Sequence, residues 1–76
     1  MLSADQRRAL RLLAGARRNG VTESLLMAHG FTSDILADLV RAELATKAIG
    51  TVLAGSRPIE VVRLRITDEG LRALEG

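Results

Sequence analysis

A chain of 76 residues with a net charge of +2 and a hydrophobic content of 47% has the length of one small domain. At that size only about 60% of the unfolded chain's surface is buried, so every apolar segment must share one core. The absence of cysteine removes disulfides and thiolate metal sites, and a single aromatic residue, Phe31, argues against readers of single-stranded nucleic acid that stack bases on aromatic rings. No segment approaches the roughly 18 apolar residues of a membrane span, and the opening Met-Leu-Ser-Ala-Asp-Gln-Arg-Arg lacks the apolar stretch of a signal peptide. The expectation is a cytoplasmic protein with no membrane partner.

The elements follow in chain order. Ser3 with Gln6 three residues later forms a capping box, which predicts a helix over 4 to 18. Ala9, Leu10, Leu13 and Ala16 recur on one apolar face of it, and Asn19-Gly20 stops it. Its other side carries Arg7, Arg11 and Arg18 as one exposed stripe with Arg8 beside it. Such a stripe is either a solvated face or a contact for an anionic partner. Thr22 is the N-cap of a second helix over 22 to 29, with Leu25, Leu26 and Ala28 as its apolar residues. That helix ends at His29-Gly30, where glycine can take the left-handed conformation. His29 has no partner at ligand spacing and reads as a capping residue, not as a metal ligand or a base.

Thr32 or Ser33 caps a third helix over 33 to 43, with Asp34 in the first turn and Ile35, Leu36, Leu39 and Val40 on its buried face. Glu43 to Thr46 fits either a last helical turn or the start of an extended segment. Two strands, 45 to 54 and 59 to 67, flank the turn signal Gly55-Ser56-Arg57-Pro58 and form a hairpin. Along the second strand Val62, Leu64 and Ile66 alternate with Val61, Arg63 and Arg65. Thr67-Asp68-Glu69 then opens a short helix over 68 to 75, whose apolar contacts are Leu71 and Leu74. Leu13, Leu26, Leu36, Leu39, Leu64 and Leu71 are the expected shared core.

The charge is unevenly spread. Residues 3 to 18 carry five arginines against Asp5, a balance of +4, and residues 21 to 46 carry Glu23, Asp34, Asp38 and Glu43 against Arg41, a balance of −3. Residues 47 to 66 carry Lys47, Arg57, Arg63 and Arg65 against Glu60, a balance of +3, and the last ten residues carry −2. Two basic segments therefore alternate with two acidic ones.

A short second helix, a glycine-containing turn, a third helix and then a hairpin follow the order of a helix-turn-helix with a wing. The run Glu23-Ser24-Leu25-Leu26-Met27-Ala28-His29-Gly30-Phe31-Thr32 resembles the helix-turn-helix of winged-helix transcription regulators, particularly the MarR-like and PadR-like groups. The run Val62-Arg63-Leu64-Arg65-Ile66-Thr67-Asp68-Glu69-Gly70-Leu71-Arg72-Ala73-Leu74 is similar to the way those families leave the wing. The resemblance extends from Gln6 to Leu74, in a short form without flanking dimerisation helices. It implies an α+β fold: a winged helix-turn-helix with a three-helix core, a two-stranded antiparallel wing and a short C-terminal helix, in one domain over 1 to 76.

The resemblance also implies that the third helix enters the major groove of double-stranded DNA and that Arg57 in the wing turn reaches the minor groove. The candidate DNA contacts are Arg7, Arg11, Arg18, Thr32, Ser33, Arg41, Arg57 and Arg63. The third helix departs from the pattern, because its exposed face presents Asp34 and Asp38 where phosphates call for cations. Asp38 can also pair with Arg41 three residues on. A small DNA-binding transcriptional regulator is therefore one reading, with a winged-helix module that binds another protein through Asp34, Ala37 and Asp38 as the alternative. No catalytic or metal site and no cofactor is expected: histidine occurs once, and no glycine-rich phosphate loop follows a strand.

Overall fold

The computed structural model describes residues 2–16 and 19–75. The chain runs α1 (Ala4–Ala16), β1 (Val21–Thr22), α2 (Glu23–Ala28), α3 (Ser33–Arg41), β2 (Ala45–Ala54), β3 (Arg57–Ile66) and α4 (Asp68–Glu75). It is an α+β arrangement of four helices and one antiparallel sheet. The last two residues expected in the first helix, Arg17 and Arg18, lie outside the described residues.

Local chemistry sets the helix ends. The Ser3 hydroxyl accepts from the Gln6 N–H at 3.1 Å while the Gln6 side-chain oxygen accepts from the Ser3 N–H at 2.9 Å, the reciprocal capping box that starts α1. The Thr22 and Thr32 hydroxyls accept from the N–H groups of Leu25 and Ile35, each at 3.2 Å. The Thr67 hydroxyl accepts from the Gly70 N–H at 3.0 Å. Helices α2 and α3 end alike: Phe31 N–H donates to the Leu26 carbonyl and Gly30 N–H to Met27, while Leu44 N–H donates to Leu39 and Glu43 N–H to Val40. These are Schellman closures, which place the residue after the cap in the left-handed region.

In α2 that residue is Gly30, but in α3 it is Glu43, with φ 63°. The left-handed conformation costs an L residue roughly 1–2 kcal/mol. Glu43→Gly is expected to raise stability by up to about 1 kcal/mol, after subtracting the roughly 0.4–1 kcal/mol that glycine loses through a freer unfolded chain. Thermal melts compare the two proteins. A lower Tm for the variant would show that the side chain at position 43 holds the closure.

The sheet order is β1-β3-β2, so the expected two-stranded hairpin gains a third strand. Val21 and Thr22 pair with Leu64 and Arg63. Two residues are too few to show a periodicity. Thr22 adopts the extended backbone (φ −65°, ψ 146°) that an N-cap requires, and the same geometry suits a strand. The hairpin turn is also tighter than expected. Ala54 pairs with Arg57 and Leu53 with Pro58, so only Gly55 and Ser56 form the loop, and Arg57 and Pro58 belong to β3. Gly55, with φ 68°, supplies the positive φ such a turn needs. Pro58 fits because β3 has no neighbour on its other side at that position.

The buried residues form one cluster: Ala9, Leu10 and Leu13 of α1, Leu26 of α2, Phe31 of the turn after it, Leu36 and Leu39 of α3, and Val21, Ala45 and Leu64 of the sheet. Leu71 is not among them. It is 43% exposed, and the inward side of α4 is made by Gly70, which is buried, and half-buried Leu74. An N–H from Thr67 to the Leu44 carbonyl and a hydroxyl from Thr67 to the Glu43 carbonyl anchor the start of α4 to the turn after α3. The rotation of α4 about its axis follows from that anchor, not from its own leucine spacing.

Candidate functional site

Three surface regions collect the residues with chemistry to offer. The first is the outward face of α3, where Ser33, Asp34, Ala37, Asp38 and Arg41 are all exposed, as the helical spacing predicts. A groove of about 490 Å³ runs beside it, lined by Ser33, Asp34, Ala37 and Arg41 together with Glu23 and Lys47. The cations in this region have carboxylate partners. Arg41 donates to Asp38 at 3.1 Å, and Lys47 lies 3.9 Å from Glu23. The Thr32 hydroxyl caps α3, so its acceptor lone pairs face the helix N-terminus.

The second region is a depression of about 460 Å³ between the end of α1, β1, α2 and β3, lined by Arg11, Gly15, Ala16, Val21, Leu25 and Arg63, among others. It brings together Arg11 and Arg63, which lie 52 positions apart in the sequence. Arg7 on the preceding turn is half-buried. Arg8 is engaged locally: it donates to Asp5 at 3.0 Å and its guanidinium sits 5.0 Å from the centre of the Phe31 ring, a cation–π contact. The arginine stripe expected on the first helix is thus divided among different surroundings, and Arg18 lies outside the described residues.

The third region was not singled out from the sequence. Each hairpin strand has ten residues, about 33 Å of extended chain, whereas the nine residues of α3 cover only about 14 Å. The helices cannot cover the hairpin, and the molecule measures 45 × 22 × 20 Å. Residues 49 to 60 are all exposed. Among them Ile49 is 65% and Leu53 73% exposed, with Val52 and Ile59 also open to solvent. Arg57, expected to be the cationic tip, is the first residue of β3 beside the turn. The cross-strand pairs Val52–Ile59 and Leu53–Pro58 next to it are apolar. Comparing strand length with helix length in the sequence would have indicated this protruding arm.

Among the described residues no group of three or more histidine, aspartate or glutamate side chains gathers where it could hold a metal ion. Nor is any helix among them long and apolar enough to cross a membrane. Compared with known proteins, the chain matches no protein-family model, no curated protein and no solved structure.

Proposed function

We propose that this chain is a small winged-helix module that acts by binding another protein. The winged-helix part is supported by the order of elements, with α2 and α3 joined by a Schellman turn and followed at once by the β2–β3 hairpin. The carrying observation for protein binding is the outer half of that hairpin, where Ile49, Val52, Leu53 and Ile59 are exposed in the position where a DNA-contacting wing needs cations. Apolar surface of this kind gains free energy by leaving water and gains nothing from phosphates. The α3 face agrees, because Asp34 and Asp38 repel a phosphate backbone and Arg41 is occupied by Asp38.

Sequence-independent affinity for duplex DNA comes from cations that release counterions, so one titration tests the proposal. Labelled protein is mixed with generic duplex DNA at low and at moderate salt while backbone amide shifts are followed residue by residue. The module is expected to show no salt-sensitive shifts over residues 33 to 41 or 54 to 58. Shifts there that vanish with salt would overturn it. A second reading, a DNA-binding regulator, has one observation in its favour: Arg11 and Arg63 line one depression. On that reading Arg11→Ala with Arg57→Ala lowers the salt slope by about one for each phosphate no longer neutralised, and Asp38→Lys strengthens nonspecific binding.

A further inference from the structure

We propose that the partner of the hairpin is a second copy of this chain, joined through the open edge of β2 in an antiparallel, two-fold arrangement. This deepens the protein-binding reading and rests on it. The two edges of the hairpin differ. Beyond Val62, β3 carries Pro58, which offers no N–H, whereas β2 contains no proline and only one charged residue, Lys47, among its ten. Natural edge strands normally carry charges, proline or bulges that block further pairing. The outer half of β2 has none of these.

The backbone groups face the right way. A two-residue turn closes on a hydrogen-bonded Ala54–Arg57 pair. Alternation along the registered ladder therefore turns the N–H and C=O of Ile49, Thr51 and Leu53 away from β3, toward the open edge. By the same alternation Pro58 faces outward on β3, where its missing N–H costs the hairpin nothing.

Symmetry then selects the register. In antiparallel pairing across a two-fold axis normal to the sheet, one residue must face its own copy. With Thr51 at the axis, Ile49 of each copy lies opposite Leu53 of the other. These four side chains form one apolar cluster on the face that continues from Val62 and Leu64 into the core. The centre is a Thr–Thr pair, a favourable cross-strand combination. Lys47 is carried past the partner's Leu53 to its turn, and the two Glu60 carboxylates stand about three strand spacings apart, roughly 14 Å, beyond the Debye length of about 8 Å at physiological salt. No charge meets its own copy. Moving the axis by one residue to Gly50 places Lys47 against Leu53, so the Thr51 register is preferred. The product is a continuous six-stranded sheet, three strands from each copy. Pairing residues 48 to 54 of both copies gives a contact about 23 Å long with seven residues from each copy, well below the roughly 20–30 a side of a standard interface, so the dimer expected is a weak, concentration-dependent one.

The test uses the whole chain. Sedimentation across the micromolar range should show a concentration-dependent dimer. Leu53→Lys, at a site 73% exposed and so harmless to folding, should leave a monomer whose melting curve matches that of the wild-type chain in dilute solution, where dimerisation no longer adds stability. Because the chain has no cysteine, Thr51→Cys gives a clean cross-linking probe. Self-opposed residues at a hydrogen-bonded pair sit about 5.5 Å apart, wider than the Cβ separation of about 3.5–4.5 Å that a disulfide needs but within reach of a short bifunctional thiol reagent. Such a reagent should trap that dimer, while Ile49→Cys, offset from its copy by about four residues or 13 Å along the strand, should not cross-link. A wild-type chain that stays monomeric into the high micromolar range overturns the proposal. So does a dimer indifferent to Leu53→Lys that cross-links no better through position 51 than through 49. Either result leaves the protein-binding reading standing if duplex DNA causes no salt-sensitive shifts in α3 or the hairpin tip, whereas such shifts would remove both.

Discussion

Leu39→Ala is expected to cost about 2–5 kcal/mol. Leu39 lies near the end of α3, is fully buried, and belongs to the cluster in which α1, α2, α3 and the sheet meet. The truncation removes three carbons where neighbours from several elements cannot all close in, so a transfer term and a cavity term add. The closing bond from Leu44 N–H uses the Leu39 backbone carbonyl and survives the substitution, so the loss is one of packing. At about 4–8 °C per kcal/mol for a domain of this size, Tm should fall by at least about 8 °C, and in so short a chain much of the stability goes with it. Thermal melts followed by circular dichroism in dilute solution measure this, with Ser56→Ala in the exposed hairpin turn as a control that should barely move. A near-native Tm for Leu39→Ala would mean that the core relaxes around the gap and that Leu39 is not its keystone.

Gly70→Ala is expected to destabilise the protein by about 1–3 kcal/mol although it places a better helix former inside a helix. A Cβ at position 70 would collide with the Leu44 carbonyl oxygen and come within 2.7 Å of the Ile66 Cγ1. The Leu44 carbonyl cannot swing aside, because it accepts from the Thr67 N–H at 3.1 Å and Leu44 is tied to the end of α3. Relief requires α4 to lift from the turn after α3, an overpacking cost of about 1–3 kcal/mol, and more where backbone is in the way. The helix propensity regained is only about 1 kcal/mol. Gly15→Ala in α1 provides the matched comparison: nothing lies within 4 Å of its Cβ position, so there the same change should stabilise by about 0.5–1 kcal/mol. Opposite signs in urea unfolding are the expected result. If both variants gain stability, α4 is not docked as described.

The readily legible parts of the chain are those whose cause lies within about one helical turn of sequence. The capping of α1 by Ser3 and Gln6, of α2 by Thr22 and of α3 by Thr32 depends on residues three positions apart, and so does the Asp38–Arg41 pair. The exposed face of α3 followed from spacing alone, which is why its acidity could be noticed before any fold was known. Leu71 was misplaced for the opposite reason. Its spacing with Leu74 suggests an inward stripe, but the rotation of α4 is fixed by contacts from Thr67 and Gly70 to residues 43 and 44, more than twenty positions away.

The kind and order of the helices and of the main hairpin are local properties, because backbone hydrogen bonding, capping and side-chain periodicity act over a few residues. Which surfaces those elements leave open is set by their packing. It brought Arg11 beside Arg63, recruited Val21 and Thr22 to the sheet, and carried the outer hairpin beyond the reach of α3, leaving Ile49 and Leu53 in solvent. Whether an apolar residue is core or interface depends on how far its neighbours extend in space, and that distance is set by packing between segments remote in the chain.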